Sequence, residues 1–166
     1  AVMLAMPPED TPHMDDDAQL RQTTCDPKLR RVLITNAKTA AGIGIANAML
    51  AAGARTLFLG DADPWKRRAE FDELAARAEV EVFNLDVTNS ESVHEVAGQI
   101  GAKVDILVNS NYYIRPGGIM GRKDVNNSRN EMDVNYLGLL RLATEFGPVM
   151  RARGADGDFS ACAWVN

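Results

Sequence analysis

The sequence predicts a doubly wound α/β fold: a parallel sheet with helices on both faces, three layers in all. Three observations predict it. Short apolar runs such as "RVLIT", "RTLFLGD" and "VDILVN" recur along the chain, helical patterns stand between them, and the connections are short. Strict alternation of this kind implies parallel strands joined by right-handed crossovers.

The first run, "RVLIT", suits a strand buried on both faces, and the helix after its turn carries Ile45, Ala46, Met49 and Leu50 before stopping at Gly53. "RTLFLGD", Arg55 to Asp61, is the second strand. Asp63 followed by Pro64 offers an N-cap and a first-turn proline for a helix to about Ala78. "VEVFNLDVT" supplies the third strand, with Val80, Val82 and Leu85 as inward candidates. Thr88 and Glu91 have capping-box spacing, and Val93, Val96, Ala97 and Ile100 follow with helical periodicity. Val104 to Asn109 is the fourth strand. After the Gly-rich loop "RPGGIMG", a helix is expected from about Asn127 to Arg153, and "GDFSACAWV" reads as a fifth strand.

Residues 1–29 show no sustained apolar period; they hold Pro7, Pro8, Pro12 and the acidic run Asp15 to Asp17, and are expected to form a flexible arm before a single domain over 30–166. His13, Met14 and that run have the elements of a cation site, but no second histidine stands at ligand spacing, so a solvated tail is preferred. No metal site is expected. The length of 166 residues and 46% hydrophobic content support one globular core. A net charge of -5 argues against nucleic acid or an anionic membrane surface as partner, and favours a small-molecule substrate. "AVMLAM" is too short for a signal h-region or a membrane span. Cys25 and Cys162 form no C-x-x-C pair, which fits a reducing, cytoplasmic setting.

In a sheet of this kind the ligand lies beyond the carboxyl ends of the strands, and the first turn meets a pyrophosphate at a helix N-terminus. The candidates are therefore the turn from Thr35 to Gly44, Asp61, Asp86, and Asn109 with its loop. Asp61 ends the second strand, where a carboxylate accepts from a ribose diol and repels a 2'-phosphate, which favours NAD over NADP. It can equally be a solvated strand-end aspartate or a cap. Asp86 can contact an adenine amino group or begin a turn toward Thr88. His94 lies inside a helix away from every strand end and is given no role.

Taken together, "TNAKTAAG", Asp61, "NLDVT", "VDILVNSNYY" and "MDVNYLGLLRLATEFGPVMRARG" resemble the short-chain dehydrogenase/reductase family in order and spacing, from about Leu29 onward. The resemblance implies a Rossmann-like domain. It also implies cofactor-binding roles for Thr35, Asn36, Lys38, Ala40, Gly42, Asp61, Asp86, Val87, Asn109 and Ser110, and a catalytic role for Asn135. Laid without gaps, the family's T-G-x-x-x-G-x-G places Asn36 and Ala40 at the first two glycines and keeps Gly42, so "GIG" is out of phase. Asn36 can adopt left-handed geometry as glycine would, while Ala40 adds a methyl where the backbone approaches the pyrophosphate. Tyr112 puts a ring in a loop that is tight in the family.

The family's tyrosine stands four residues before a lysine; Tyr112, Tyr113 and Tyr136 are followed at that offset by Pro116, Gly117 and Leu140. Trp164 falls close to the expected serine, and Ser160 lies earlier in the fifth strand. The preferred expectation is a chain that stops at the fifth strand and carries mainly the cofactor-binding half of an NAD(P)-dependent alcohol/carbonyl oxidoreductase, working as a homo- or hetero-oligomer. The alternatives are a catalytically silent subunit that stabilises a partner, without dinucleotide if the altered turn has lost binding, and a halohydrin dehalogenase-like lyase. The T-N-x-K turn resembles the dehalogenases, but Ala40 replaces their aromatic residue.

Overall fold

In the computed structural model, which describes residues 25–116, 125–155 and 162–166, five parallel strands pair in the order β3-β2-β1-β4-β5. They are β1 (Arg31–Ile34), β2 (Thr56–Gly60), β3 (Val80–Phe83), β4 (Ile106–Val108) and β5 (Ala163–Val165). The chain runs outward from β1 through β2 to β3, then crosses to β4 and β5. The expected doubly wound sheet is present, and its switch point lies between β1 and β4.

Successive side chains of a strand point to opposite faces, and this divides the core in two. Val32, Ile34, Leu57, Leu59, Ile106 and Val108 face one way, where Ile43 and Ala46 of α1 (Ala40–Ala51) and Phe71 and Leu74 of α2 (Ala69–Ala75) cover them. Leu33, Phe58 and Leu107 face the other way. There they meet Val93, Val96 and Ile100 of α3 (Ser90–Ile100) and Leu142, Phe146 and Met150 of α5 (Gly138–Ala155). A short α4 (Asn126–Met132) leads into α5 through a π-helical turn, Asp133–Leu137.

α1 starts and stops as its residues dictate. The Thr39 hydroxyl accepts from the Gly42 amide at 3.0 Å. At the far end Gly53, with φ +85°, takes the left-handed conformation, and the Ala54 and Gly53 amides donate back to Met49 and Leu50 carbonyls at 3.0 and 2.9 Å.

Several local expectations are corrected. α2 begins at Ala69, beyond Asp63 and Pro64, and ends at Ala75. Asp63 caps nothing there because its amide donates to the Asp61 carboxylate and its own carboxylate pairs with Lys66. Asn89, one residue beyond Thr88, caps α3 and accepts from the Glu91 and Ser92 amides; Thr88 is occupied by Asp86. Val82 is 44% exposed, because β3 is the outermost strand and has a neighbour on one side only.

The expected arm lies outside the described residues over 1–24, including the His13 to Asp17 cluster. Its end is docked: the Leu29 amide donates to the Gly53 carbonyl at 2.8 Å. Ser160 and most of the Gly-rich loop also lie outside the described residues.

At the amino end of the sheet, buried Asp105 joins β1, β4 and α5. It accepts from the Arg31 amide at 2.9 Å and guanidinium at 3.0 and 3.1 Å, and it pairs with Arg153 of α5. Burial pushes its carboxyl upward, but the hydrogen bonds from Arg31 and Arg153 and the Arg31 charge together hold it below the usual carboxylate value.

Candidate functional site

The carboxyl ends of β1, β4 and β5 are tied into one polar knot. Thr35, almost fully buried, donates its hydroxyl to Asn109 Oδ1 at 3.1 Å and accepts from the Ser110 amide at 3.1 Å and Asn111 Nδ2 at 2.5 Å. The Asn36 amide donates to Ser110 Oγ at 3.1 Å, and Asn109 Nδ2 donates to Asn166 Oδ1 at 2.6 Å. This network brings Thr35, Asn36, Asn109 and Ser110 together at the switch point, directly before the N-terminus of α1. Asn111, in the loop expected to matter together with Asn109, belongs to it too, and so does Asn166, to which the sequence reading gave no role.

The turn's geometry decides which glycine is required. A Cβ on Gly42 would fall against the Asn36 carbonyl oxygen and within 2.7 Å of Ala37 Cα, whereas one on Gly44 would meet nothing within 4 Å. Gly42 is therefore the position where α1 packs on the turn, as the ungapped alignment requires. Asn36 does not substitute for glycine through left-handed geometry: among the described residues Leu29 alone, glycines apart, has positive φ. Ala40 is the exposed first residue of α1.

Beside the turn, Asp61 is buried and paired. Its Oδ2 lies 2.5 Å from Lys38 Nζ, and its Oδ1 accepts from the Asp63 amide at 3.0 Å. Lys38 also donates to the Asp63 and Lys66 carbonyls, each at 2.8 Å, and lies 5.2 Å from the centre of the Phe71 ring. A cavity of about 430 Å³ opens here, lined by Asn36, Thr39 and the Lys38–Asp61 pair together with Lys66, Arg67 and Arg68. The sequence reading gave Lys66, Arg67 and Arg68 no part in the site; the structure brings them to the turn, where Arg68 Nη1 reaches the Lys38 carbonyl at 2.9 Å.

Asp86 holds its own turn, accepting from the Thr88 amide at 2.9 Å and hydroxyl at 2.7 Å. Val87 is buried, and its carbonyl accepts from Arg141, which also pairs with Asp133 at 2.8 Å. Gly138 lets α5 close onto this segment, since a Cβ there would stand 2.9 Å from Val87 Cγ2. Asn135, in the π-helical turn, clamps the loop after β4: Oδ1 accepts from the Tyr113 amide at 2.9 Å and Nδ2 donates to the Tyr113 carbonyl at 2.6 Å. The Tyr112 ring is 69% exposed, so the loop accommodates it by turning it outward. His94 pairs on the surface with Glu145 at 3.0 Å. Among the described residues, no group of three or more histidine, cysteine or acidic side chains is placed to hold a metal ion. No described helix is long and apolar enough to cross a membrane.

The geometry has counterparts among known proteins. A short-chain dehydrogenase from Streptomyces avermitilis is 29% identical over 76% of this chain, with a TM-score of 0.66. Another from Burkholderia cenocepacia J2315, solved in complex with NADP, is 26% identical over 76% of the chain, with a TM-score of 0.65. The 3-ketoacyl-(acyl-carrier-protein) reductase of Brucella melitensis, complexed with NADH, is 22% identical over 82% of the chain with a TM-score of 0.69, and shows the shared fold alone. This chain spans 46%, 51% and 56% of the length of those three structures, about half in each case. No curated protein sequence matches. A family model described as enoyl-(acyl carrier protein) reductase matches residues 37–158, and with it the chain belongs to the short-chain dehydrogenase/reductase family.

Proposed function

We propose that this chain binds a nicotinamide dinucleotide and serves an oxidoreductase that interconverts an alcohol and a carbonyl compound. The observation that carries the proposal is the polar knot of Thr35, Asn109 and Ser110 at the switch point, set against the Gly42 turn at the N-terminus of α1. Buried hydroxyl and amide groups fix the backbone there, and the open first turn of a helix favours a pyrophosphate. The residues present fit such a group.

In this reading Thr35, Asn36, Ala40 and Gly42 shape the phosphate turn, and Lys38 and Asp61 stand at the adenosine ribose. Asp86 and Val87 border the adenine, while Asn109 and Ser110 support the nicotinamide side. Asn135 serves by holding the backbone of the loop at Tyr113 through both ends of its amide. The bound cofactor supplies the hydride acceptor or donor. A proton donor is also needed, and neither Tyr112, Tyr113 nor Tyr136 has a lysine at the fourth following position. Association with a second copy or another subunit is part of the proposal, supported by the exposed apolar residues Met132, Tyr136, Leu137 and Leu140 around the π-helical turn. A cytoplasmic setting suits such a dinucleotide-dependent reaction.

The test is a titration with NADH and with NADPH, monitoring the rise in nicotinamide fluorescence. Saturable binding of at least one is expected, and absence of binding by both overturns the proposal. A silent partner-stabilising subunit is the second reading. The donation of the Asn36 amide to Ser110 favours it, because that turn amide is already satisfied without ligand.

A further inference from the structure

We infer that the open edge of β3, with the acidic groove beside it, takes an extended basic segment of a partner protein as a further strand of the sheet.

The register of β3 on β2 defines the edge. The Leu57 and Asp61 amides donate to the Glu79 and Phe83 carbonyls at 2.8 and 2.9 Å, so the odd-numbered residues here turn their backbone groups toward β2. The N–H and C=O of Val82 therefore point the other way, where no described strand lies. Side chains alternate too. Val80 packs in the core on the α2 side and Phe83 against the core on the α3 side, which puts Val82 on the first face and Glu81 on the second. Exposed edges commonly carry lysine or proline, which bar pairing. β3, with the sequence VEVF, carries neither, and its one apolar side chain at the rim, Val82, is left 44% exposed.

Charge names the occupant. Between β3 and α3 lies a groove of about 580 Å³, lined by Phe83, Asn84, Gln99 and two exposed carboxylates one helical turn apart, Glu91 and Glu95. Glu81 adds a third carboxylate on the same face of the sheet. No described lysine or arginine lines this groove or pairs with these three groups, and His94 of the same helix turns away to Glu145. Like charges set opposite each other repel, so pairing of this edge with a second copy of itself is disfavoured. Residues 1–24 carry the same sign, with Glu9, Asp10 and Asp15 to Asp17 against Arg21. A foreign segment of alternating basic and β-branched residues meets both demands. Its main chain extends the ladder at Val82, its cations lie toward Glu81, Glu91 and Glu95, and its apolar side chains cover Val82 on the other face. β3 and β5 are opposite edges of the sheet, so occupancy here does not depend on a dinucleotide.

Three peptides test this on the full chain: acetyl-(Val-Lys)4-amide, its glutamate counterpart, and the lysine peptide N-methylated along its backbone, which keeps the charges and removes the donors. Amide NMR titration reads affinity, and hydrogen exchange at Val82 reads strand pairing. The lysine peptide is expected to bind saturably, about tenfold or more tightly than either control, and to slow exchange at Val82 about tenfold while α1 and β1 are unaffected. Replacing both groove carboxylates, Glu91→Gln with Glu95→Gln, changes exposed positions only and is expected to weaken that peptide about fivefold. Absence of binding, equal binding of either control peptide, or binding that leaves Val82 unprotected overturns the proposal. So does unaltered affinity in the double variant. Protection of Val82 that rises with protein concentration without any peptide overturns it as well, by giving the edge to a second copy.

Discussion

At the scale of single residues, Gly42 and Gly44 make opposite demands on the same helix. A methyl on Gly42 would drive into the Asn36 and Ala37 backbone, while a methyl on Gly44 enters open space on a helical residue. Gly42→Ala is therefore expected to destabilise by about 1–3 kcal/mol through overpacking, and Gly44→Ala to stabilise by about 0.5–1 kcal/mol through helix propensity. Urea unfolding of the two variants measures both; a larger loss at Gly44 would overturn the ungapped register of the turn. The sequence alone supported that register only through the length of the helix to Gly53. It could not reveal that Asn36 avoids left-handed geometry, because that depends on the Ser110 hydroxyl reaching back from beyond β4. The same limit applies to Asp61. Its place at a strand end was legible, but its partner was not, since α1 and β2 separate Lys38 from it in the chain.

At the scale of elements, strands and helices could be read from periodicity, whereas their ends depended on side-chain competition. Asp63 and Pro64 form a good helix start in isolation, yet the Asp61 carboxylate and Lys66 claim Asp63 and the helix waits for Ala69. The long helix expected from about Asn127 to Arg153 is present, but as α4, a π-helical turn and α5. Periodicity gave no sign of the π-helical turn, which adds a residue to one turn of helix and so rotates α5 relative to α4. Its contribution is to aim Asn135 at the Tyr113 backbone. Asn135→Ala is expected to cost about 1 kcal/mol in global stability and to free the loop over 111–116. Amide hydrogen exchange reads this directly: Tyr113 should exchange markedly faster while α1 and the β1–β2 ladder keep their protection. Unchanged protection at Tyr113 would remove the clamp from the account of the site.

At the scale of the whole molecule, the sheet is pinned at both ends of its strands. The carboxyl ends meet in the knot around Thr35; the amino ends meet at Asp105, which links β1 through Arg31 to α5 through Arg153. These strand pairings and the helix join residues separated by 74 and 48 positions, so the ion cluster reports closure of the whole fold and not of one hairpin. The folded protein holds the Asp105 carboxyl below its usual value, despite the opposing effect of burial. A carboxyl depressed on folding contributes stability that is fully present above its unfolded pKa, near about 4. That stability is lost as pH falls through the folded value. Thermal unfolding measured from pH 7 down to 3 should therefore show a steep decline below about pH 4. Asp105→Asn keeps the shape and removes the charge. Removing the carboxylate charge takes away the counter-charge that faces Arg31 and Arg153 in a partly buried cluster, so the variant is expected to lose about 1–3 kcal/mol at neutral pH. Its further decline in acid should be shallower than that of the parent, since the group responsible is gone. A variant curve parallel to the parent's would assign the acid sensitivity to other carboxylates and leave Asp105 with a purely geometric role.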